Sequence, residues 1–313
     1  MENSESRNIY IGIALAVLAT LIWSGNFIIA RGVIKNIPPV TLAFYRWFSA
    51  SLILFPFAWK YLRPQLRIIK TRPVYFILAA ITGVAMFNTF VYIAGHYSTA
   101  INMALLGTCT SPIISVILAA IFLKEKVTFL RVTGMLIMLA GILVLLSKGS
   151  WEVLFNFSFT KGDWWVLAAA FTFAVYNILV KRRPAEMHSS SFLLSIFMIG
   201  TIILAPFYLI ELKNQGGFEI NIPNLSAILY LGLGASVICF LLWNISIHNL
   251  GAGRTALFGN LIPVFTSIEA VWILNEKITT THLVSFVLVV GGLMTANIHK
   301  KFTYSIFSIG NKK

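Results

Sequence analysis

Two charged residues, Arg46 and Glu269, stand inside long apolar stretches of this chain, where charge is costly. They lie about seven and about five residues from the ends of their stretches, hence some 8–10 Å deep at about 1.5 Å per residue. Opposite signs at similar depth lead to the expectation that the two pair or share a polar network. Glu269 has a second chemistry open to it, proton coupling, because a carboxyl drawn out of water can load and release protons near neutral pH. Arg46 has a plainer alternative, in which its long side chain snorkels to the headgroups. Trp23, Asn26, Asn88, Tyr92, Tyr176, Asn177, Trp243, Asn244 and Asn260 also fall within apolar stretches. An amide in hydrocarbon needs a partner, and each of these alone fits an interhelical hydrogen bond. As a set they fit a cavity of apolar and aromatic walls with a few placed polar groups. Such a cavity suits an amphipathic substrate, for example an apolar or aromatic amino acid.

The chain shows no nucleophile elbow, no phosphate-binding glycine loop and no metal-spaced His/Cys cluster. It is therefore read as a non-enzyme with no cofactor and no metal. Cys109 and Cys239 are single residues within apolar stretches and read as small packers, not as disulfide partners. With no ATP-binding motif, any transport must draw on a gradient, either of the substrate or of protons.

The elements that position these residues are membrane spans. Of the 313 residues, 58% are hydrophobic and only 11% charged, too little charge to cover a water-facing surface of this size. The apolar residues come in blocks of about 20, the length that crosses a bilayer core, and without the period-2 alternation of barrel strands. Ten spans are expected, at about 9–32, 39–60, 74–95, 98–123, 128–147, 163–182, 190–211, 224–246, 253–274 and 280–299. The fold class is thus an all-α polytopic membrane protein. The stretch Met1–Asn8 lacks a basic segment and a cleavage site, so no signal peptide is read.

The chain also repeats itself. Leu123-Lys-Glu-Lys-Val-Thr128 returns 151 positions later as Leu274-Asn-Glu-Lys-Ile-Thr279. Pro112 and Pro263, Gly83 and Gly234, and Gly141 and Gly292 share that offset, while Trp23 and Phe173, and Pro56 and Pro206, stand 150 apart. Two five-span units follow, 1–150 and 160–300, with a tail at 301–313. An odd number of spans per unit places the second upside down relative to the first. Inverted repeats recur in secondary transporters, with the site near the midplane between the repeats. One chain then holds a complete transporter, and a monomer suffices.

Seventeen of the 24 Lys and Arg fall on the side of the N-terminus, six on the other, and Arg46 lies within a span. This bias predicts both termini in the cytoplasm of a cell whose plasma (bacterial inner) membrane holds the chain. The bias, together with anionic lipid headgroups, accounts for the net charge of +14 without nucleic acid as a partner. The expected partners are a small-molecule substrate, the bilayer and, for coupling, protons.

The chain resembles the drug/metabolite transporter superfamily in its branch of two EamA-type halves. The resemblance rests on Trp23-Ser-Gly-Asn-Phe27, Arg46, Ser111-Pro112, Leu123-Lys-Glu125, Gly134 and Gly141. In the second half it rests on Tyr176, Pro263, Leu274-Asn-Glu276 and Gly291-Gly292. It spans nearly the whole chain, and order, spacing and duplication carry it more than any single motif. Phe173 in place of Trp23, and Ser285 in place of Gly134, are departures in the second half. The resemblance implies a ten-helix fold that exports amino acids, other metabolites or toxic compounds by alternating access. A nucleotide-sugar or lipid-intermediate carrier of the same superfamily is the alternative, and it would need basic residues in the cavity.

Two further features divide between structure and function. Pro112 and Pro263 sit mid-span, where a missing backbone donor permits either a static bend or a hinge at a wet cavity. Glu125 and Glu276, each before a Thr able to cap the next helix, are expected to fix the turns into spans five and ten. The small residues Gly107, Ser111, Ser115 and Ala119, four apart, are expected to let span four pack closely.

Overall fold

The computed structural model describes residues 2–33, 37–98, 100–156, 159–274 and 279–297, and for some of these the backbone alone. Among them there is no strand. Ten long helical segments run in order: α1 (Glu2–Val33), α2 (Pro39–Thr71), α3 (Pro73–Tyr97), α4 (Ala100–Leu123), α5 (Phe129–Leu146), α6 (Lys161–Lys181), α7 (Ser189–Gln215), α8 (Ile222–Leu250), α9 (Ala252–Leu257 continued as Leu261–Leu274) and α10 (Thr280–Asn297). Eight of them hold an apolar run long enough to cross a membrane; α4 holds a shorter one, Thr110–Leu123. Helices are what a bilayer demands, because each backbone donor and acceptor must be satisfied within its own segment.

The helices outrun the expected spans where charge begins but helix-forming residues continue. The second span was expected to stop near residue 60, yet α2 runs on through Arg63, Arg67 and Lys70 to Thr71. Its other end begins at Pro39, where the first backbone N–H groups have no partner in their own helix. Glu211 of α7 supplies the acceptors, taking the Val40 and Thr41 N–H groups at 3.2 and 2.6 Å and the Thr41 hydroxyl at 2.9 Å. At the far end of the same helix pair, Gln65 donates to the Glu186 carbonyl at 2.8 Å, and Tyr61 stacks on His188 with 4.3 Å between centroids. The pair α2–α7 is thus tied at both ends.

The packing obeys the internal repeat. α5 lies against α10, its own counterpart, as α2 lies against α7. At the α5–α10 crossing Gly134 meets the backbone of Gly292, and Gly141 meets Ser285. Adding the 151-residue offset converts one of these contacts into the other, so the Gly-to-Ser departure in the second half falls on a symmetric contact. A Cβ at Gly134 would land on the Gly292 carbonyl, which is why a small residue is required there.

The first helix of each half is exchanged. α1 packs on α8 and α9 of the second half, and α6 packs on α3 and α4 of the first. The bundles that meet at the centre are therefore α1–α8–α9 and α6–α3–α4, not the two contiguous halves of the sequence. The small-residue face of α4 serves this exchange: Gly107 faces Val166, Ser115 accepts from the Asn177 amide at 3.4 Å, and Ala119 faces Gly253.

The helices depart from α-geometry at positions the sequence did not flag. α3 widens to a π-helix over Ile81–Met86 and α8 over Tyr230–Ile238, segments related by the repeat offset and centred on Gly83 and Gly234. α4 continues as α-helix through Pro112. α9 tightens to a 3-10 turn at Phe258–Asn260, just before Pro263.

Candidate functional site

The π-segment of α8 builds the middle of the molecule. A wide turn of this kind leaves backbone carbonyls free for side-chain donors. The Ala235 carbonyl takes two, the Trp23 indole N–H at 2.9 Å and Arg46 Nη2 at 3.0 Å. Arg46 also donates Nε to the Ser236 hydroxyl at 2.8 Å and Nη1 to the Tyr92 hydroxyl at 3.0 Å. Its exposure is 1%, so it does not snorkel to the headgroups. It lies inside the protein, its charge spread over neutral acceptors from α3 and α8.

Glu269 sits one helix away. Its Oε1 accepts the Ser24 hydroxyl at 2.7 Å, and its Oε2 is buried with no hydrogen-bond partner among the described residues. The direct Arg46–Glu269 ion pair considered from the sequence is not formed. Each charge has instead been claimed by polar groups on α8 or α1. What joins them is indirect: Arg46 and Trp23 share one carbonyl, Ser24 follows Trp23 in the chain, and Ser24 holds Glu269. The Tyr230 hydroxyl donates to the Ile22 carbonyl at 2.7 Å and, like Glu269 Oε2, lies against Gly25. The two charges thus lie in separate sets of hydrogen bonds, adjoined where Trp23 and Ser24 follow one another on α1.

The polar and aromatic residues otherwise meet along the line where the exchanged bundles touch. The Trp243 indole N–H donates to Asn177 Oδ1, and the Tyr176 hydroxyl donates to Asn244 Oδ1, both at 2.9 Å. Trp23 packs on Trp243 at 5.0 Å and edge-on against Phe173 and Phe240, each at 5.9 Å. Phe173 stacks in turn on Phe87 at 4.5 Å and on Tyr176 at 5.9 Å. Trp23 and Phe173 are repeat counterparts. So are Trp47 and Phe197, which stand 150 positions apart and touch at 4.9 Å. Contacts between counterparts mark the pseudo-two-fold axis, and it passes through this seam.

Trp23, Tyr176, Asn177 and Trp243 thus come together, while the Tyr92 hydroxyl is held by Arg46. They fill the space between the bundles with one another, where the sequence pointed to walls around a cavity. An apolar groove of about 390 Å³ exists elsewhere, between α2, α3 and α7, where Ile69, Phe76 and Ile203 line it. The amide nitrogens of Asn88 and Asn244 are buried without a hydrogen-bond partner among the described residues. Asn260 lies apart, bonded to the Leu257 carbonyl at 3.0 Å and set against Met138 of α5. The side chain of Asn26 falls outside the described residues, as do those of Cys109 and Glu276. Cys239 is buried, with its thiol against the Ala19 carbonyl at 3.4 Å. The sequence reading missed Ser24, Phe173 as a seam residue, Ser236 and Tyr230. Only Phe173 carried a signal in the repeat, as the counterpart of Trp23; Ser24, Ser236 and Tyr230 answer to Ala174, Ala85 and Ala79.

Glu125 does more than fix a corner. Thr128 caps α5 through the Arg131 N–H at 3.2 Å, as expected. Glu125 itself reaches across to α9 and accepts the Ala252 N–H at 2.8 Å.

Comparison with known proteins matches this architecture. The profile of the EamA-like transporter family fits residues 10–147 and again residues 160–298. An uncharacterized transporter of Archaeoglobus fulgidus is 29% identical over 283 residues, 90% of this chain and 93% of that protein. A protein of Escherichia coli K12 named "probable amino-acid metabolite efflux pump" is 23% identical over 290 residues, 89% of this chain and 92% of its own length. A solved crystal structure superposes with a TM-score of 0.74 at 19% identity, covering 93% of this chain and 96% of the other, and so shares the fold.

Proposed function

The chain belongs to the EamA-like transporter family, and from that premise we propose that it is a secondary active exporter of small amphipathic metabolites, foremost apolar or aromatic amino acids. The observation that carries this reading is the seam on the two-fold axis, where Trp23, Phe173, Tyr176 and Trp243 surround the amides of Asn177 and Asn244. Aromatic faces with a few amides suit a cargo that is apolar at one end and polar at the other. Arg46 is the seam's cation, and its guanidinium already has three neutral partners. That argues against a nucleotide-sugar or lipid-intermediate cargo, whose phosphates call for several free basic groups. The name of the Escherichia coli relative agrees with an amino-acid cargo.

Transport in this reading is alternating access. The bundles α1–α8–α9 and α6–α3–α4 part at the seam, while the tied pairs α2–α7 and α5–α10 flank them. Glu269, with one carboxylate oxygen held by Ser24 and the other without a hydrogen-bond partner among the described residues, is the coupling group that exchanges a proton for cargo. The chain lies in a bacterial inner membrane with both termini in the cytoplasm, as the charge bias predicts. Counterflow in proteoliposomes, run against a panel of amino acids, nucleobases, cationic drugs and nucleotide sugars, tests the cargo class. Saturable flux of apolar or aromatic amino acids is expected. Flux confined to nucleotide sugars, or none at all from folded protein, overturns the reading.

A further inference from the structure

The predicted cytoplasmic ends of the helices hold a charged cluster that the seam does not use. Glu125, just past the end of α4, gives Oε1 to the Ala252 N–H. Its Oε2 stands 3.7 Å from Arg131 Nη1, too far for a hydrogen bond. Arg131 is only 5% exposed, and neither its Nε nor its Nη1 has a hydrogen-bond partner among the described residues. The same is true of Arg254 Nε and of Glu125 Oε2. Arg254 stands two residues beyond Ala252, whose N–H Glu125 holds, and Lys181 donates its ammonium to the His248 carbonyl at 2.7 Å. Among the described residues Glu125 is the one carboxylate that pairs with Arg131. Buried guanidinium nitrogens without acceptors are costly, so the cluster has room, electrostatically, for a further anionic group.

The surrounding packing shows what such a group would do there. Glu125 ties α4 of one exchanged bundle to α9 of the other. Gly251 makes the approach feasible: it holds φ at +97°, and a Cβ there would come within 2.6 Å of Glu125 Oε1. Behind the tie, Gly253 packs directly on Val116 and Ala119 of α4. Glu125 thus faces Arg131 through one carboxylate oxygen and holds the Ala252 N–H through the other.

We propose that Arg131, Arg254 and Lys181 form an inner loading site for the carboxylate of an amino-acid cargo, which displaces Glu125 and unties α4 from α9. This rests on the amino-acid reading of the cargo. It adds a second recognition point, at the mouth from which an exporter loads, distinct from the aromatic seam.

The test is alkylation of a reporter thiol behind the tie. Val116→Cys is placed in a Cys109→Ala, Cys239→Ala background, and its reaction with N-ethylmaleimide is followed in purified protein. The probes are L-phenylalanine, L-leucine, their carboxamides and inorganic phosphate, with counterflow of the same two amino acids measured in parallel. The free amino acids should speed alkylation several-fold and the carboxamides should not. Arg131→Gln should abolish that acceleration. Glu125→Gln should alkylate fast without any probe. Equal acceleration by acid and carboxamide, or full acceleration in Arg131→Gln, overturns the loading site but leaves the exporter reading intact when counterflow persists. Acceleration by phosphate alone also overturns it, in favour of a phosphate-bearing cargo. Absence of amino-acid counterflow in the parent overturns the cargo reading and this site with it.

Discussion

Replacing Glu269 by Gln separates the two tasks this residue is given, holding α1 and carrying a proton. Ser24 donates to Oε1 at 2.7 Å, and a Gln side-chain carbonyl can keep that bond. A hydrogen bond to a charged acceptor contributes about 1.5–3 kcal/mol and a neutral one about 0.5–1.5 kcal/mol. The exchange should therefore cost no more than about 1–2 kcal/mol of stability, and the variant should fold. The amide nitrogen takes the place of Oε2, which is buried and accepts from no donor among the described residues. What vanishes is the titratable site. In proteoliposomes, Glu269→Gln should retain counterflow, which needs no gradient, and should lose uphill accumulation driven by an imposed pH gradient. Ser24→Ala removes the hydroxyl but keeps the carboxylate, so it should retain gradient-driven accumulation. Uphill, pH-driven accumulation by Glu269→Gln at the parent rate would refute the coupling role.

Other perturbations test the scaffold. Tyr176→Phe removes the hydroxyl bonded to Asn244, whose amide nitrogen has no partner among the described residues, and should cost about 1–2 kcal/mol in thermal unfolding. Glu211→Ala strips the N-terminus of α2 of its acceptors and should lower stability by about 1–3 kcal/mol by the same measurement. An unchanged midpoint in that variant would mean that the N-terminus of α2 finds other acceptors. Gly134→Leu forces a side chain onto the Gly292 carbonyl and should destabilise by about 1–3 kcal/mol or more, whereas Gly291→Ala, with open space around it, should be tolerated.

Much of this molecule was legible in its sequence because a bilayer restricts what a chain can do. Blocks of about 20 apolar residues leave helices as the available structure, and the 151-residue echo divides them into two units. The echo paired Gly141 with Gly292 and Gly134 with Ser285, the residues on which α5 and α10 cross, but did not show that these helices touch. The exchange of α1 and α6 was not legible. Periodicity and hydropathy describe one helix at a time, and which helices become neighbours is decided by tertiary packing. The π-segments escaped for a related reason. Prolines announce a missing donor, whereas the wide turns at Gly83 and Gly234 follow from how Tyr176 and Arg46 must be accommodated. The charges were found by their cost in hydrocarbon, but their partners were not. A sequence shows that Arg46 must be compensated, and it does not show that a carbonyl, a serine and a tyrosine compensate it in place of Glu269.

The central claim is that cargo passes along the seam of Trp23, Tyr176, Asn177 and Trp243. The most direct test compares counterflow of one transported amino acid by Asn177→Ala with that by Trp59→Phe, a change at a partly exposed residue of α2 far from the seam. The account predicts a raised half-saturation concentration or lost flux for Asn177→Ala and parent behaviour for Trp59→Phe, with both proteins folded. Parent-like flux and half-saturation in folded Asn177→Ala would contradict it.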